Sequence, residues 1–322
     1  MAYMERTRTW KNLGTDVEKY MTSRDVLQAA GIDYDVVKTP CYHRFNGKFV
    51  NDRKRKVWTM RQSDGFMYDT VSPDYEVVQN RDAFSISDDF GDEFVFEKAG
   101  ELHTIKDDQG RTGGLIYVIG RLPEVRILGD SFVPYLIIIN DFMGKRSIRV
   151  AITTLRLVCE NQLQVGFGEA DNTQSIRHTK SASERLDEAK KIILSVSDYM
   201  KMVTKMAEGY AAMKVSPRQI GLVMDAMFPV SADDPEEKVK KVMKARAKYE
   251  EAFSRAYDSA DNYVFRGTSW GLVNAYTDLL THKTLQGRAT EETRFQNILF
   301  AKKKNTTENT DAFLNIINDI AA

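Results

Sequence analysis

The chain has 322 residues, 46 basic and 46 acidic side chains, a formal charge of zero and 42% apolar residues. That length buries a substantial core, as one large domain or two smaller ones, and the charge balance excludes a simple polycation. No apolar run reaches the roughly 20 residues of a bilayer span, the first residues lack a secretory signal's apolar stretch, and Cys41 and Cys159 cannot make a disulfide framework.

Along the chain, Thr22-Ser-Arg-Asp25 reads as a helix start, with Gly31 as the stop. Tyr34–Val37, Lys56–Met60 and Phe94–Phe96 are short strand-like runs between turn residues. Leu115–Arg121, Tyr135–Asn140 and Ser147–Thr153 are stronger strand candidates. The second is continuously apolar, as a strand buried on both faces must be. In the third, Ile148, Val150 and Ile152 share one face, which puts Arg149 on the other; that face is expected to be wet or covered by an anion.

Thr153 or Thr154 then caps a predicted helix with Leu155, Val158, Cys159 and Leu163 on one stripe, Arg156 and Glu160 beside it and Asn161 near its end. A capping box at Ser181–Glu184 opens a long amphipathic helix running from Leu186 to Tyr210. Ser216-Pro-Arg-Gln219 starts another, which Pro229 ends. The next opens at Asp233–Glu237 and runs to about Tyr263, with a thin apolar face from Val239 through Val242, Ala245, Tyr249 and Phe253. Thr268–His282 is a last core helix, with Trp270 and Asn274 one turn apart. Residues 302–311 are polar, and the apolar tail Ala312–Ile320 docks only if it finds a groove. Strands followed by helices make the class α+β: a mostly antiparallel sheet in a core domain over 1–185, a helical region packed on it over 186–301, and a polar linker with an apolar tail over 302–322.

The zero charge is a sum of blocks. Residues 44–61 carry Arg44, Lys48, Arg53, Lys54, Arg55, Lys56 and Arg61 against Asp52, with Phe45, Phe49 and Trp58 interleaved. Residues 69–108 hold twelve acids against Arg81, Lys98 and Lys106. Between 145 and 180 the sign returns, through Lys145, Arg146, Arg149, Arg156, Arg177 and Lys180. Basic blocks with aromatics suit a phosphate backbone with stacked bases, and a solvated hairpin tip at Arg53–Lys56 is the bland alternative.

No catalytic constellation emerges. His43, His103, His178 and His282 have no second ligand at metal spacing, and Cys159 reads as a buried small hydrophobe. Gly113-Gly114 and Gly166-Phe-Gly168 lack the frame of a phosphate cradle. Asp88, Asp89, Asp92 and Glu93 are the one run compatible with Mg²⁺, and they read better as an acidic surface loop, so no cofactor is expected. Arg149, Arg156, Asn161, Arg177 and His178 are balanced between ion pairing and a site around an anion. Trp270 and Asn274 read as a core indole with a buried amide partner.

Several stretches carry a resemblance: Trp10–Thr15, Ala29–Asp35, Tyr75–Arg81, Val118–Pro123, Tyr135–Asn140, Arg156–Leu163, Ile176–Thr179 and Gly267–Tyr276, closed by His282. In order, they resemble the phage- and plasmid-like proteins grouped under domain of unknown function 932. The chain departs from that pattern at Trp10-Lys11, where relatives have Trp-His, and at Asp141-Phe-Met-Gly144, where they often have a His-Asp-Gly-Ser turn. The resemblance implies structural roles for Trp10, Gly14, Asn80, Arg121, Pro123, Cys159, Asn161, Trp270, Asn274 and His282. It also implies a setting among phage recombination and replication genes in a bacterial cytoplasm.

The element order further looks like the single-strand annealing superfamily of Redβ and RecT. That likeness implies an annealase-like core, a homo-oligomeric ring or filament and non-hydrolytic annealing of single-stranded DNA. Arg53, Lys54, Arg55 and Lys56 would then stand at a groove lip, and Lys145, Arg146, Arg149 and Arg156 along its floor. The alternatives are a structural or regulatory protein acting on a phage or host recombination protein, and a metal-dependent nuclease resting on the acidic run.

Overall fold

The computed structural model describes residues 10–51, 55–156, 161–163, 173–179, 181, 182, 184, 186, 196–281, 295 and 310–321. Its centre is an antiparallel sheet of eight strands. These are β1 (Thr15–Asp16), β7 (Val95–Lys106), β8 (Thr112–Arg121), β9 (Val125–Ile127), β10 (Asp130–Asp141), β11 (Ile148–Arg156), β12 (Asn161–Leu163) and β13 (Thr173–Ile176). The order is β1-β7-β8-β10-β11-β12, with β9 on β10 and β13 on β11. A smaller sheet orders β2 (Val36–Pro40), β5 (Val57–Arg61) and β6 (Met67–Val71) as β2-β5-β6, and β3 (Tyr42–Phe45) pairs with β4 (Lys48–Asn51) alone.

Helices α1 (Ser23–Ala29) and α2 (Asn80–Phe84) lie among these strands. The C-terminal half supplies α3 (Val196–Ala212), α4 (Pro217–Met227), α5 (Glu236–Tyr257), α6 (Ser269–Thr281) and α7 (Thr310–Ala321). The class is α+β, with a helical C-terminal half.

The central strands are apolar throughout because both faces are covered. Ile116, Val118, Leu136, Ile138, Val150 and Ile152 enter the main core, which includes the helices. Their alternates Leu115, Tyr117, Ile119, Tyr135, Ile137, Ile139 and Ala151 form a second core with Trp10, Leu13 and Phe295. The period-two alternation of a strand sorts one run into two cores. Trp10 meets Tyr135 edge-on at 5.0 Å. The Glu97 carboxylate accepts from Trp10 Nε1 at 3.1 Å and from Tyr135 Oη at 2.9 Å, so a buried acid has two donors. Gly14 sits at φ 62, where a Cβ would lie 2.4 Å from the Ala99 carbonyl; only glycine fits this approach.

Two expectations are corrected. Thr153 and Thr154 do not cap a helix: β11 runs on to Arg156, pairs with β10 through Phe132, and turns back so that Arg156 faces Asn161. Thr153 and Thr154 are fully buried, β-branched and flanked by strands on both sides, so pairing overrides the helical spacing. Leu157–Glu160, and with them Cys159, lie outside the described residues. Arg149 does not stand on a wet face: it pairs opposite Ile139 on the side of the second core, and is half-buried. Of the helix expected from Leu186 to Tyr210, the stretch Val196–Ala212 is helical, and residues 187–195 lie outside the described residues.

Other expectations are met. The Ser216–Gln219 capping box forms in both directions. Trp270 and Asn274 are buried, although the amide partner of Asn274 is Asn262, at 3.2 Å, and not the indole. The apolar tail does find a groove: it forms α7, Phe313 stacks on Tyr276 of α6 at 4.0 Å, and Gln219 Nε2 donates to the Ile320 carbonyl at 3.1 Å.

Candidate nucleic-acid interface

The basic segment lies on the small sheet. At the Val36–Arg61 end of that sheet, away from β3 and β4, Tyr68 Oη donates to Tyr34 Oη at 2.7 Å, both phenols lie within hydrogen-bond reach of Glu101, and Arg61 reaches Glu101 at 3.2 Å. Burial, reinforced by Glu101, pushes the Tyr34 phenol far above its ordinary range, so it stays a donor. Thr59 Oγ1 donates to the Phe142 carbonyl at 2.6 Å and ties β5 to the end of β10.

At the opposite, Pro40–Val57 end, β3 and β4 form a two-stranded ribbon closed by Asn46-Gly47, with φ 47 and 76. Two successive positive φ angles define the hairpin turn that an Asn-Gly pair favours. Every residue of both strands is exposed. Tyr42, Phe45 and Phe49 are 55%, 64% and 77% exposed, so these rings stand largely in solvent. The register pairs Arg44 with Phe49 and Phe45 with Lys48. Paired residues share a face, so Tyr42, Arg44 and Phe49 stand on one face of the ribbon and Phe45 and Lys48 on the other. Arg53–Lys56 is therefore not the hairpin tip: the tip is Asn46-Gly47, and Arg55 and Lys56 precede β5 at the end of the small sheet from which the ribbon leaves. Arg55 and Lys56 are exposed there, and Arg53 and Lys54 lie outside the described residues.

Lys56 also lines an open cavity of about 360 Å³ with Ser72, Asp74, Tyr75, His178 and Thr179. His178 is buried, stacked on Tyr75 at 4.7 Å, with Nδ1 3.2 Å from the Glu76 carbonyl. A carbonyl only accepts, so Nδ1 carries the proton. Burial drives the imidazole down to about 4, against the raising effect of that carbonyl. His178 is thus a neutral packing residue, not a phosphate-binding cation.

Lys145 is exposed and 2.8 Å from Asp69. Burial pushes the Asp69 carboxyl up, but the bonds from Lys145 and the Thr70 N–H, with the charges of Lys145 and Lys56, hold it below its usual range. Arg146 and Arg149 are half-buried and engaged, and Arg177 is exposed. Arg156 belongs to β11, beside Asn161 of β12. The structure thus gathers Lys56, Lys145 and His178 around one end of the small sheet, and assigns the most exposed chemistry to a ribbon whose signal, Asn-Gly between two short aromatic runs, was present in the sequence.

Of the residues implied to be structural, Trp10, Asn80, Trp270 and Asn274 are buried. Asn80 accepts from Asn140 at 3.0 Å and donates to the Ile32 carbonyl at 2.9 Å. Arg121 and Pro123 are exposed, with Arg121 3.8 Å from Glu18, and His282 lies outside the described residues. The acidic run forms a 3-10 stretch, Ser85–Glu93, in which Asp88 accepts from the Ser23 N–H and hydroxyl, both at 2.6 Å. That carboxylate anchors α1. No helix among the described residues is long and apolar enough to cross a membrane.

A family model described as a domain of unknown function (DUF932) matches residues 67–312. The match begins downstream of the ribbon and takes in the central sheet and α3 to α6. No curated protein and no solved structure matches the chain.

Proposed function

The chain belongs to the DUF932 family, and from that premise we propose that it binds single-stranded DNA through the β3–β4 ribbon, without nucleotide hydrolysis. One observation carries this reading: Tyr42, Phe45 and Phe49 stand in solvent, with Arg44 and Lys48 paired across from Phe49 and Phe45. Exposed rings offer a stacking platform that any base fits, and neighbouring cations meet the phosphates between bases. Duplex DNA, whose bases are already stacked, gains nothing from such rings. Arg55, Lys56 and Arg177 add exposed positive charge, and Lys145 adds less because Asp69 neutralises it.

The wider reading is strand annealing in phage or plasmid recombination or replication, in a bacterial cytoplasm, by a homo-oligomeric ring or filament. Its support is the sequence resemblance together with a ribbon that grips a strand by sequence-tolerant contacts. Mixing complementary fluorescent oligonucleotides with the protein tests it. The expected result is salt-sensitive binding to single strands and accelerated pairing without nucleotide. Binding to neither strand at low salt contradicts it.

The alternative, a structural or regulatory role through protein contacts, is favoured by the same exposed rings. It predicts a ribbon that is protected by a protein partner and indifferent to oligonucleotides.

A further inference from the structure

Helix α5 divides into unlike halves. Tyr249, Ala252, Phe253 and Ala256 are buried, with Tyr249 meeting Phe228 at 5.3 Å. The apolar face expected from Val239 onward is not buried in the same way: Val239 and Val242 are only half-covered and Ala245 is exposed. This first half instead carries Lys238, Lys240, Lys241, Lys244, Arg246 and Lys248, with no acid between 238 and 248.

Three of these cations have local partners. Lys238 and Lys240 pair with Asp234 and Glu236, each at 2.5 Å. Arg246 bridges Asp225 of α4 at 2.5 Å and Glu250 at 2.7 Å. Lys241, Lys244 and Lys248 are exposed and make no ion pair among the described residues, although Glu237 lies one turn before Lys241. Their spacing of three and then four residues sets them on one stripe, roughly 10 Å long.

This arrangement costs the isolated helix stability. Lys240 with Lys244, and Lys244 with Lys248, are like charges at i,i+4, which destabilise a helix. A polyanion laid along the stripe turns each unfavourable term into a favourable one. Between 238 and 248 Met243 is the one large apolar side chain that is strongly exposed, and no aromatic ring interrupts the stripe, so it offers charge without stacking or membrane insertion.

We infer that Lys241, Lys244 and Lys248 form a second contact strip, distinct from the ribbon, for the phosphate backbone of a nucleic-acid strand. This rests on the reading of the protein as a single-strand binder and names a further site for it. The two elements divide the work: the ribbon stacks bases, and the strip neutralises phosphates whatever the sequence.

The experiment is the salt dependence of binding to a fluorescent oligodeoxynucleotide. It compares the full chain, the Lys241→Gln/Lys244→Gln/Lys248→Gln variant, and a charge-matched control, Lys201→Gln/Arg218→Gln/Arg255→Gln. Each phosphate contact to a single strand contributes about 0.7 to the slope of log affinity against log salt, so the strip variant's slope falls by about 2. The control keeps the parent slope, and helical circular dichroism is unchanged in both. A full chain that binds with a slope shared by all three proteins overturns the strip and leaves the ribbon standing. Equal loss in the control and the strip variant also overturns it, since net charge alone then explains the effect. A full chain that binds no oligonucleotide overturns the single-strand reading and the strip with it.

Discussion

The central sheet and the β3–β4 ribbon are built from the same antiparallel pairing, and they differ in what lies on their faces. In the sheet, successive residues of β8, β10 and β11 enter two separate cores, and even the buried acid Glu97 has two donors. In the ribbon, both faces are in water and three aromatic rings are mostly exposed. A two-stranded ribbon alone is marginal in water. Here it extends from the Pro40–Val57 end of the small sheet. Apolar residues in the sheet are spent on stability, whereas those in the ribbon remain available for a ligand.

Substitutions at the two places separate these roles. Ile137→Ala removes a fully buried side chain facing Trp10 and Tyr135 and should cost about 2–5 kcal/mol by urea unfolding. A cost below 1 kcal/mol would show that the second core is loosely packed. Next in size is the acid sensitivity conferred by His178. Its folded-state pKa is depressed to about 4, so its contribution is complete above the unfolded value of about 6.5 and is lost as pH falls from there toward 4. Over that window His178→Phe, which retains a ring against Tyr75, should lose about 3 kcal/mol less stability than the parent. Parallel pH profiles would contradict a buried neutral imidazole.

Asp141 has the opposite sign and a smaller effect. Burial raises its carboxyl, against the bond from the Met143 N–H and the nearby Arg146, so it favours the fold below the usual carboxylate pKa and loses that advantage as pH rises through the folded value. Asp141→Asn keeps an acceptor for Met143 and should gain on the parent as pH rises above the usual carboxylate range; a constant difference would argue against it. Smallest of all, Phe49→Ala in the ribbon should change unfolding free energy by no more than about 0.5 kcal/mol. A larger loss would mean that the ring packs on the protein itself.

The sheet was legible because double burial leaves an unbroken apolar run, as in Tyr135–Asn140, that no solvated element tolerates. Residues 153–156 and 161–163 form strands, although Leu155, Val158, Cys159 and Leu163 also fit a helical stripe, because nothing local reveals that β10 waits to pair with Thr153–Arg156. The small-sheet strands were visible, yet the Asn46-Gly47 turn was passed over, which moved the expected hairpin tip to Arg53–Lys56. Basic residues were read as one class, although their surroundings differ: Lys145 is neutralised by Asp69, Arg149 faces an apolar core, and Arg55 and Lys56 stand in water. Which of Lys238–Lys248 lacks a partner depends on where Asp225 and Asp234 come to lie, and that is decided by tertiary structure.

The claim that the ribbon is a ligand-binding surface is tested most directly with Tyr42→Ala/Phe45→Ala/Phe49→Ala in a single-strand binding titration at fixed salt, with urea unfolding as the control. Each base that loses a stacking ring costs about 1–3 kcal/mol of binding, so affinity should fall at least tenfold while the midpoint of unfolding hardly moves. Undiminished affinity in a folded triple variant would contradict the account.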